Sequence, residues 1–398
     1  MQARERDLRV VAIAIVLSAM GDFVALIALG LRANEMWEGF GVSVVFIALW
    51  APAALLAGHA GLIVDRFETR SVAIVASLFQ CVVTAALAFA TGSIAALLVL
   101  TALLGVGATI AQSAEFALVP VLAGRRPLAR ANGLVESARS LGFVVGPLAG
   151  GALAAAAATK GALLVDAASF LAITAALASL AVRRKPVRTD QPPRAREGLE
   201  LLFGERTLAI AIGAGTLTLV FMSASIPADF VYTTDNLGKS SLALGLVLTL
   251  WAAAMLVGSL MLAPRVASSA VAVCALLAAS LQGFSKFAAP FWMVFPFMCF
   301  CYLFGGLGHG AKNTLFRTLI HQRIAPERHG RAFAAYNGLR NGAELIALAA
   351  GGALVAAIGG PGTLWLAGGA AGIVGLAGAL ALQARGARQT AAARANAS

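Results

Sequence analysis

Charge is scarce in this chain. Asp, Glu, Lys and Arg make up 12% of its 398 residues, and the mean hydropathy is +0.87. A soluble domain carries about 25% charge, so a water-facing globule is excluded and an integral membrane protein is implied. Acids are scarcer than bases, 18 against 30, which leaves a net charge of +12. No basic patch is interleaved with aromatic residues, so no nucleic-acid partner is expected. Cysteine is nearly absent. Cys81, Cys274, Cys299 and Cys301 all fall inside hydrophobic runs, none with histidines at metal-ligand spacing. They read as small core residues, and no metal is expected. The chain has no Gly-x-x-x-x-Gly-Lys-Ser/Thr loop to cradle phosphates, no His-Glu-x-x-His and no Gly-x-Ser-x-Gly. Direct ATP drive and intramembrane hydrolysis are disfavoured, and neither catalytic residues nor a cofactor are expected.

Long hydrophobic runs, by contrast, are abundant. About 20 apolar residues span a bilayer. Twelve such runs lie near 9–31, 39–64, 71–91, 93–119, 132–157, 161–182, 208–231, 241–263, 267–285, 289–313, 332–358 and 362–384. The expected fold is an all-α membrane protein with twelve transmembrane helices in two six-helix pseudo-repeats. With the amino terminus placed in the cytoplasm, only Arg32, Lys160, Lys239 and Lys286 fall on outer loops or outer helix ends. The remaining bases lie inward, which is the positive-inside pattern, and both termini are then cytoplasmic. Arg4, Arg6 and Arg9 precede a span long enough to be a signal anchor, so no cleaved signal peptide is expected.

The longest connection, 183–207, holds Pro186, Pro192 and Pro193, then an amphipathic stretch from Arg196 to Arg206. It divides an N-terminal bundle (1–182) from a C-terminal bundle and short tail (208–398). The halves echo each other. Pro127 to Leu134 and Pro326 to Leu339 are basic turns that end in Asn-Gly-Leu, and each is followed by Gly-Gly-Ala-Leu, at 150–153 and 351–354.

Gly133, Gly142, Gly146, Pro147, Gly150 and Gly151 form a motif on the fifth run. Gly142, Gly146 and Gly150 fall on nearly one helical face. A face without side chains lets a second membrane helix approach closely, and Pro147 bends the helix there. After the second run comes Gly61-Leu-Ile-Val-Asp65-Arg66-Phe-Glu-Thr-Arg70. Gly61 would permit close approach. Asp65 could cap the next helix and pair with Arg66 or Arg70, as a conformational latch or as a charged turn that only fixes topology.

Asp22 lies inside the first run, about 20 Å along it by helical rise. A carboxyl there is costly unless it faces a cavity, pairs or is neutral. It is read as a proton-coupling or substrate-binding group, with a structural hydrogen bond as the alternative. His309 and Glu115 are the next candidates, Glu115 also as a member of the Asp65 cluster. His59, near the end of the second run, reads as hydrogen-bonded structure. Glu136 with Arg139, and Arg340 with Glu344, are spaced as structural ion pairs on single helix faces. Asp166 reads as a cap or packing group, and Asp229 as a charge at a membrane edge. Phe23, Gln112, Phe221, Met222, Ser225, Phe304 and Asn313 are candidate cavity walls, although each could equally pack against a neighbouring helix.

Gly61 to Arg70, Ala131 to Gly151, Arg196 to Arg206 and Pro326 to Leu339 together resemble the major facilitator superfamily. The likeness covers nearly the whole chain. It is nearest the drug:proton antiporter branch of macrolide-efflux and enterobactin-exporter-like proteins. The glycine motif is similar to that branch's antiporter motif, and Gly61 to Arg70 to the superfamily signature, with Glu68 and Thr69 as departures. The superfamily's usual arginine on the fourth helix is missing, since Thr101 to Gly107 carries no base. The resemblance implies proton-gradient-driven export of small amphipathic molecules by alternating access. It implies a monomer among membrane lipids, in a bacterial inner membrane. A siderophore exporter or a lysophospholipid flippase of the same fold is the alternative. A non-transporting sensor is disfavoured.

Overall fold

The computed structural model describes residues 2–123, 128–180, 195–325 and 328–395. Among them there is no strand. The helices are α1 (Gln2–Arg66), α2 (Thr69–Ala90), α3 (Ile94–Ala123), α4 (Leu128–Ala178), α5 (Ala195–Phe203), α6 (Arg206–Ala224), α7 (Ile226–Val231), α8 (Ser241–Val257), α9 (Val271–Ala288), α10 (Phe295–Arg323) and α11 (His329–Ala395).

The longest helices are hairpins. Residues eight apart in a straight helix are about 12 Å apart, yet a Cβ at Gly41 would touch the Ala33 carbonyl. The chain therefore doubles back inside α1. In α4, Gly146 and Asp166 should stand about 30 Å apart by the same rise, yet Gly146 meets Phe23 and Asp166 meets Gly21. In α11 the break is Gly359, whose φ of 70° suits a residue without Cβ, with Pro361 just after it. Loops were expected at the first two reversals, and helical turns make them instead.

Nine helical stretches among the described residues are long and apolar enough to cross a membrane. One of them, Arg331–Gly386, holds two spans divided at Gly359. The shorter Phe40–Leu56 and the polar-studded α10 complete the twelve expected. The protein is a multi-pass membrane protein.

The chain divides into two compact units. One is 1–192 with 238–249, and the other is 193–237 with 250–398. The first unit thus takes the start of α8, which the sequence reading assigned to the C-terminal bundle. Inside the first unit α1 packs on α4 and α3, and α2 packs on α3 and α4. Inside the second, α6 packs on α11, and α9 packs on α10 and α11. The packing of α2 on α3 and α4 is matched by that of α9 on α10 and α11, as repeats lead one to expect. Each unit has its own apolar core. Leu8, Val11, Leu118, Leu122 and Leu177 lie in one, and Leu208, Ile212, Leu276, Phe316 and Leu319 in the other.

Helix α2 shows the membrane logic. Its buried face carries Thr69, Ser77, Gln80 and Thr84. Val75, Val82 and Phe89, seven residues apart, are about two-thirds exposed. Polar groups turn inward and the bulkiest apolar groups outward, the arrangement that lipid favours.

Candidate functional site

The glycine motif seats the first span. A Cβ on Gly142 would collide with Ala19, one on Gly146 would fall 2.8 Å from the Cβ of Phe23, and one on Gly150 would fall 3.0 Å from the backbone of Phe23 and Val24. Contacts under 3.0 Å are essentially not tolerated, so these glycines set the separation of α1 and α4. Gly151 faces another neighbour, the Ser241 carbonyl and Gly245 of α8, and Gly245 meets Pro147 in return. Phe23 is held from the side by Phe143, with ring centroids 5.0 Å apart. The side chain of Gly133's position lies outside the described residues.

Between Ala19 and Phe23 the carboxyl of Asp22 turns into a cavity of about 150 Å³. The wall is shared by α1 (Ser18, Asp22), α2 (Ser77, Gln80), α3 (Gln112, Glu115) and α4 (Arg139). Asp22 is exposed to this space although it sits deep in its span. Drug-sized pockets measure roughly 300–1,000 Å³, so the cavity has room for several waters or one end of an amphipathic molecule.

The charges around it come from other spans. Arg139 donates to Glu115 at 2.7 Å, each side chain about one-fifth exposed. Both lie within electrostatic reach of Asp22. Asp166, only 1% exposed, stands beside Gly21, and its Oδ1 accepts from Ser169 at 3.3 Å. Its Oδ2 is buried with no hydrogen-bond partner among the described residues. It lies mid-helix, within reach of Asp22, and is a buried packing carboxyl rather than a cap. Among the described residues the charges gathered about Asp22 are thus Glu115, Asp166 and Arg139, so that this cluster holds three acids and one base.

Several expectations shift on the page. Arg139 reaches Glu115 on another helix, and the expected pairing with Glu136 falls on a side chain outside the described residues. In the turn after the second span Glu68, not Asp65, is the cap. It accepts from the Ser71 backbone at 2.9 Å and from the Ser71 hydroxyl at 2.5 Å. Arg70 donates to the carbonyls of Leu180, at 2.6 Å, and Ala178. Those carbonyls stand at and just past the end of α4, where a cation suits the helix terminus. The Asp65 side chain lies outside the described residues, and Arg66 is exposed. An added Cβ at Gly61 meets open space, so that glycine serves no close approach among the described residues. His59 is exposed.

The second unit holds a different polar interior. Lys286 was read as an outer helix end, but it is 4% exposed and donates to Asp229 at 2.6 Å. Tyr302 donates to the other oxygen of Asp229, and Lys286 also donates to Ser225 at 2.9 Å. The ammonium lies 5.5 Å from the ring centres of both Trp251 and Tyr302. Trp251 in turn donates to His309 Nδ1 at 3.2 Å. Both oxygens of Asp229 are satisfied, so this is a closed network. Lys312, also buried, donates to Gln282 at 2.8 Å. Sequence reasoning missed Lys312. The available signal was the rule that an intramembrane base needs a named partner.

The remaining candidate wall residues scatter. Gln112 is on the Asp22 cavity, and Asn313 lines a smaller one. Met222 and Ser225 are buried, and Phe221 is half-buried. Phe304 lies on neither wall but in an exposed aromatic row with Phe297 and Phe300. Arg340 and Glu344 approach to 3.7 Å. The short helix α5 falls where an amphipathic segment was expected. It lies against α11 through Gly198 on the Arg331 carbonyl and an ion pair of Glu197 with Arg331 at 3.0 Å. No cluster of potential metal ligands occurs among the described residues.

The profile of the Major Facilitator Superfamily matches residues 11–264. The multidrug efflux pump Tap of Mycobacterium tuberculosis is 26% identical over 372 residues, 87% of this chain and 86% of the pump. Tap of Mycobacterium bovis matches equally. Among solved structures, the nucleoside transporter NupG superposes with a TM-score of 0.74 at 12% identity, covering 95% of this chain and 98% of that one. An inward-facing bacterial homologue of the iron transporter ferroportin gives 0.72 at 16%, covering 94% and 98%. At such identities the structural likeness speaks for the fold alone.

Proposed function

The chain belongs to the Major Facilitator Superfamily, and from that premise we propose that it is a proton-coupled exporter of small amphipathic molecules. Transport is by alternating access in a bacterial cytoplasmic membrane, with both termini cytoplasmic. The multidrug pump Tap, similar along most of its length, supports the export reading. The burial of Lys286 leaves only Arg32, Lys160 and Lys239 of the bases assigned to the outer side, which supports the orientation.

One observation carries the mechanism. Asp22 opens onto a cavity shared by four helices, on a span whose seat is set by Gly142, Gly146 and Gly150. A carboxyl in an apolar setting exchanges its proton readily when its surroundings change from wet to dry. Arg139 and Glu115, paired with each other, both stand within electrostatic reach of Asp22. Movement of α1 against the glycine face would alter both influences together. Asp22 is then the coupling group, Asp166 its buried neighbour, and no cofactor beyond the proton gradient is needed.

The test is substrate-dependent proton flux in proteoliposomes, with an amphipathic dye such as ethidium as the probe. Asp22→Asn should abolish dye-driven proton movement, and Asp22→Glu should keep part of it. Wild-type flux from Asp22→Asn would overturn the assignment.

A further inference from the structure

In the second unit, Lys286 and Lys312 are buried at 4% and 3% exposure, and their surroundings differ in kind. Lys286 has a carboxylate at bonding distance, whereas the bonded partner of Lys312 is the neutral amide of Gln282. Arg340 stands within electrostatic reach of Lys312. The two cations share Glu344, which is 3.7 Å from Arg340 and within reach of Lys312. Two bases, one buried and one partly exposed, against one partly exposed acid leave an excess positive charge beside Lys312, which an anion would complete.

The same groups border a void. Lys312, Arg340, Asn313, Thr216 and Tyr336 line a cavity of about 10 Å³. That is close to the space one water or one oxygen atom occupies. Thr216 adds the independent sign. Its hydroxyl oxygen is buried with no hydrogen-bond partner among the described residues. Hydroxyl, amide, guanidinium and ammonium all donate, and together they suit an oxygen that bears negative charge.

The geometry points to an oxyanion-recognition site built from Lys312, Arg340, Thr216, Asn313 and Tyr336. It takes one oxygen of a carboxylate or phosphate carried by an amphipathic molecule. This deepens the export reading by naming a substrate class, acidic amphiphiles, in addition to the cations that the acids around Asp22 suit. Lys312→Met keeps an unbranched side chain and removes the charge with its donors, the bond to Gln282 included. Arg340→Lys keeps the charge and loses the planar fork that grips two oxygens.

The experiment measures binding of dodecanoate, dodecyl phosphate and methyl dodecanoate to the full-length protein in a neutral maltoside detergent. The account expects at least one anion to bind tighter than the ester by about tenfold, which corresponds to 1.4 kcal/mol. The preferred anion identifies a carboxylate or a phosphate as the natural group. Lys312→Met should erase the preference by weakening the anions more than the ester, and Arg340→Lys should weaken it in part. Equal binding of ester and anions, or an unchanged preference in Lys312→Met, would overturn the site. Proton-coupled export of ethidium, measured beside it, separates the two readings. Intact dye export without anion preference removes this site alone, whereas lost dye export with preserved preference removes the coupling scheme alone.

Discussion

The two units of this protein solve the problem of buried charge in opposite ways. In the first, acids outnumber bases: Asp22, Glu115 and Arg139 line an open cavity, and Asp166 is buried within reach of Asp22. In the second, bases outnumber acids: Lys286, Lys312 and Arg340 against Asp229 and Glu344. The second unit also closes one of its pairs. Asp229 receives Lys286 and Tyr302, and aromatic rings flank the ammonium. A closed pair gains little by changing protonation, because either change leaves a naked partner behind. In the first unit Glu115 is likewise paired with Arg139, whereas Asp22 faces the cavity. The comparison teaches where to look for chemistry: at the charge whose surroundings are incomplete, not at the charge with the best partners.

The largest effect should come from breaking the closed pair. Lys286→Met alone strands the Asp229 carboxylate in the interior and should cost about 3–5 kcal/mol. Thermal unfolding in detergent would show it as a large drop in midpoint. Combining it with Asp229→Asn removes both charges and should regain most of the loss. A double variant no better than the single one would mean that the network is not held by its charges.

Overpacking the glycine face comes next. Gly146→Leu drives a side chain into Phe23, whose Cβ lies 2.8 Å from the first atom added. The strain should be about 1–3 kcal/mol, and export should be lost while the protein still inserts. Gly61→Leu is the matched contrast, since an added Cβ there meets open space. Equal loss from both variants would remove the packing argument.

The smallest effect belongs to an acid at the surface. Glu205 caps α6 by accepting from Thr207 at 3.0 Å and Leu208 at 3.2 Å, and it pairs with Arg323 at 3.4 Å. Burial alone would raise its pKa, but those hydrogen bonds and the arginine outweigh burial and hold it below the usual carboxylate range. With the folded pKa depressed, its contribution is present above the unfolded value near ~4.3 and fades as pH falls through the folded one. Glu205→Gln should cost about 0.5–1 kcal/mol at neutral pH, and the cost should shrink below pH ~4. A pH-independent cost would assign the role to packing.

Much of the fold was legible because hydropathy is a one-dimensional quantity. A run such as 71–91 needs no partner to be seen, and α2 occupies it within two residues. The spacing of Gly142, Gly146 and Gly150 was legible as a smooth face, but not which helix it meets. Charge pairing was the least legible feature. Lys286 and Asp229 are 57 positions apart, and each sits close enough to the end of its run to pass for an edge charge. Lys312 was hidden similarly, at the last turn of a run that continues as helix to Arg323. Glu68 stood one turn from the expected acid and took its capping role. In each case the local pattern named the residue type, and only the three-dimensional neighbour decided its function.

The claim that the open acid set carries the proton can be read without any gradient. Purified protein in weakly buffered detergent is mixed with ethidium, and the pH of the solution is followed. The account predicts that the wild type releases protons on binding dye, that Asp22→Asn binds a neutral analogue but releases none, and that Lys286→Met with Asp229→Asn releases protons as the wild type does. Undiminished release from Asp22→Asn, or its loss in the Lys286→Met with Asp229→Asn variant alone, would contradict it.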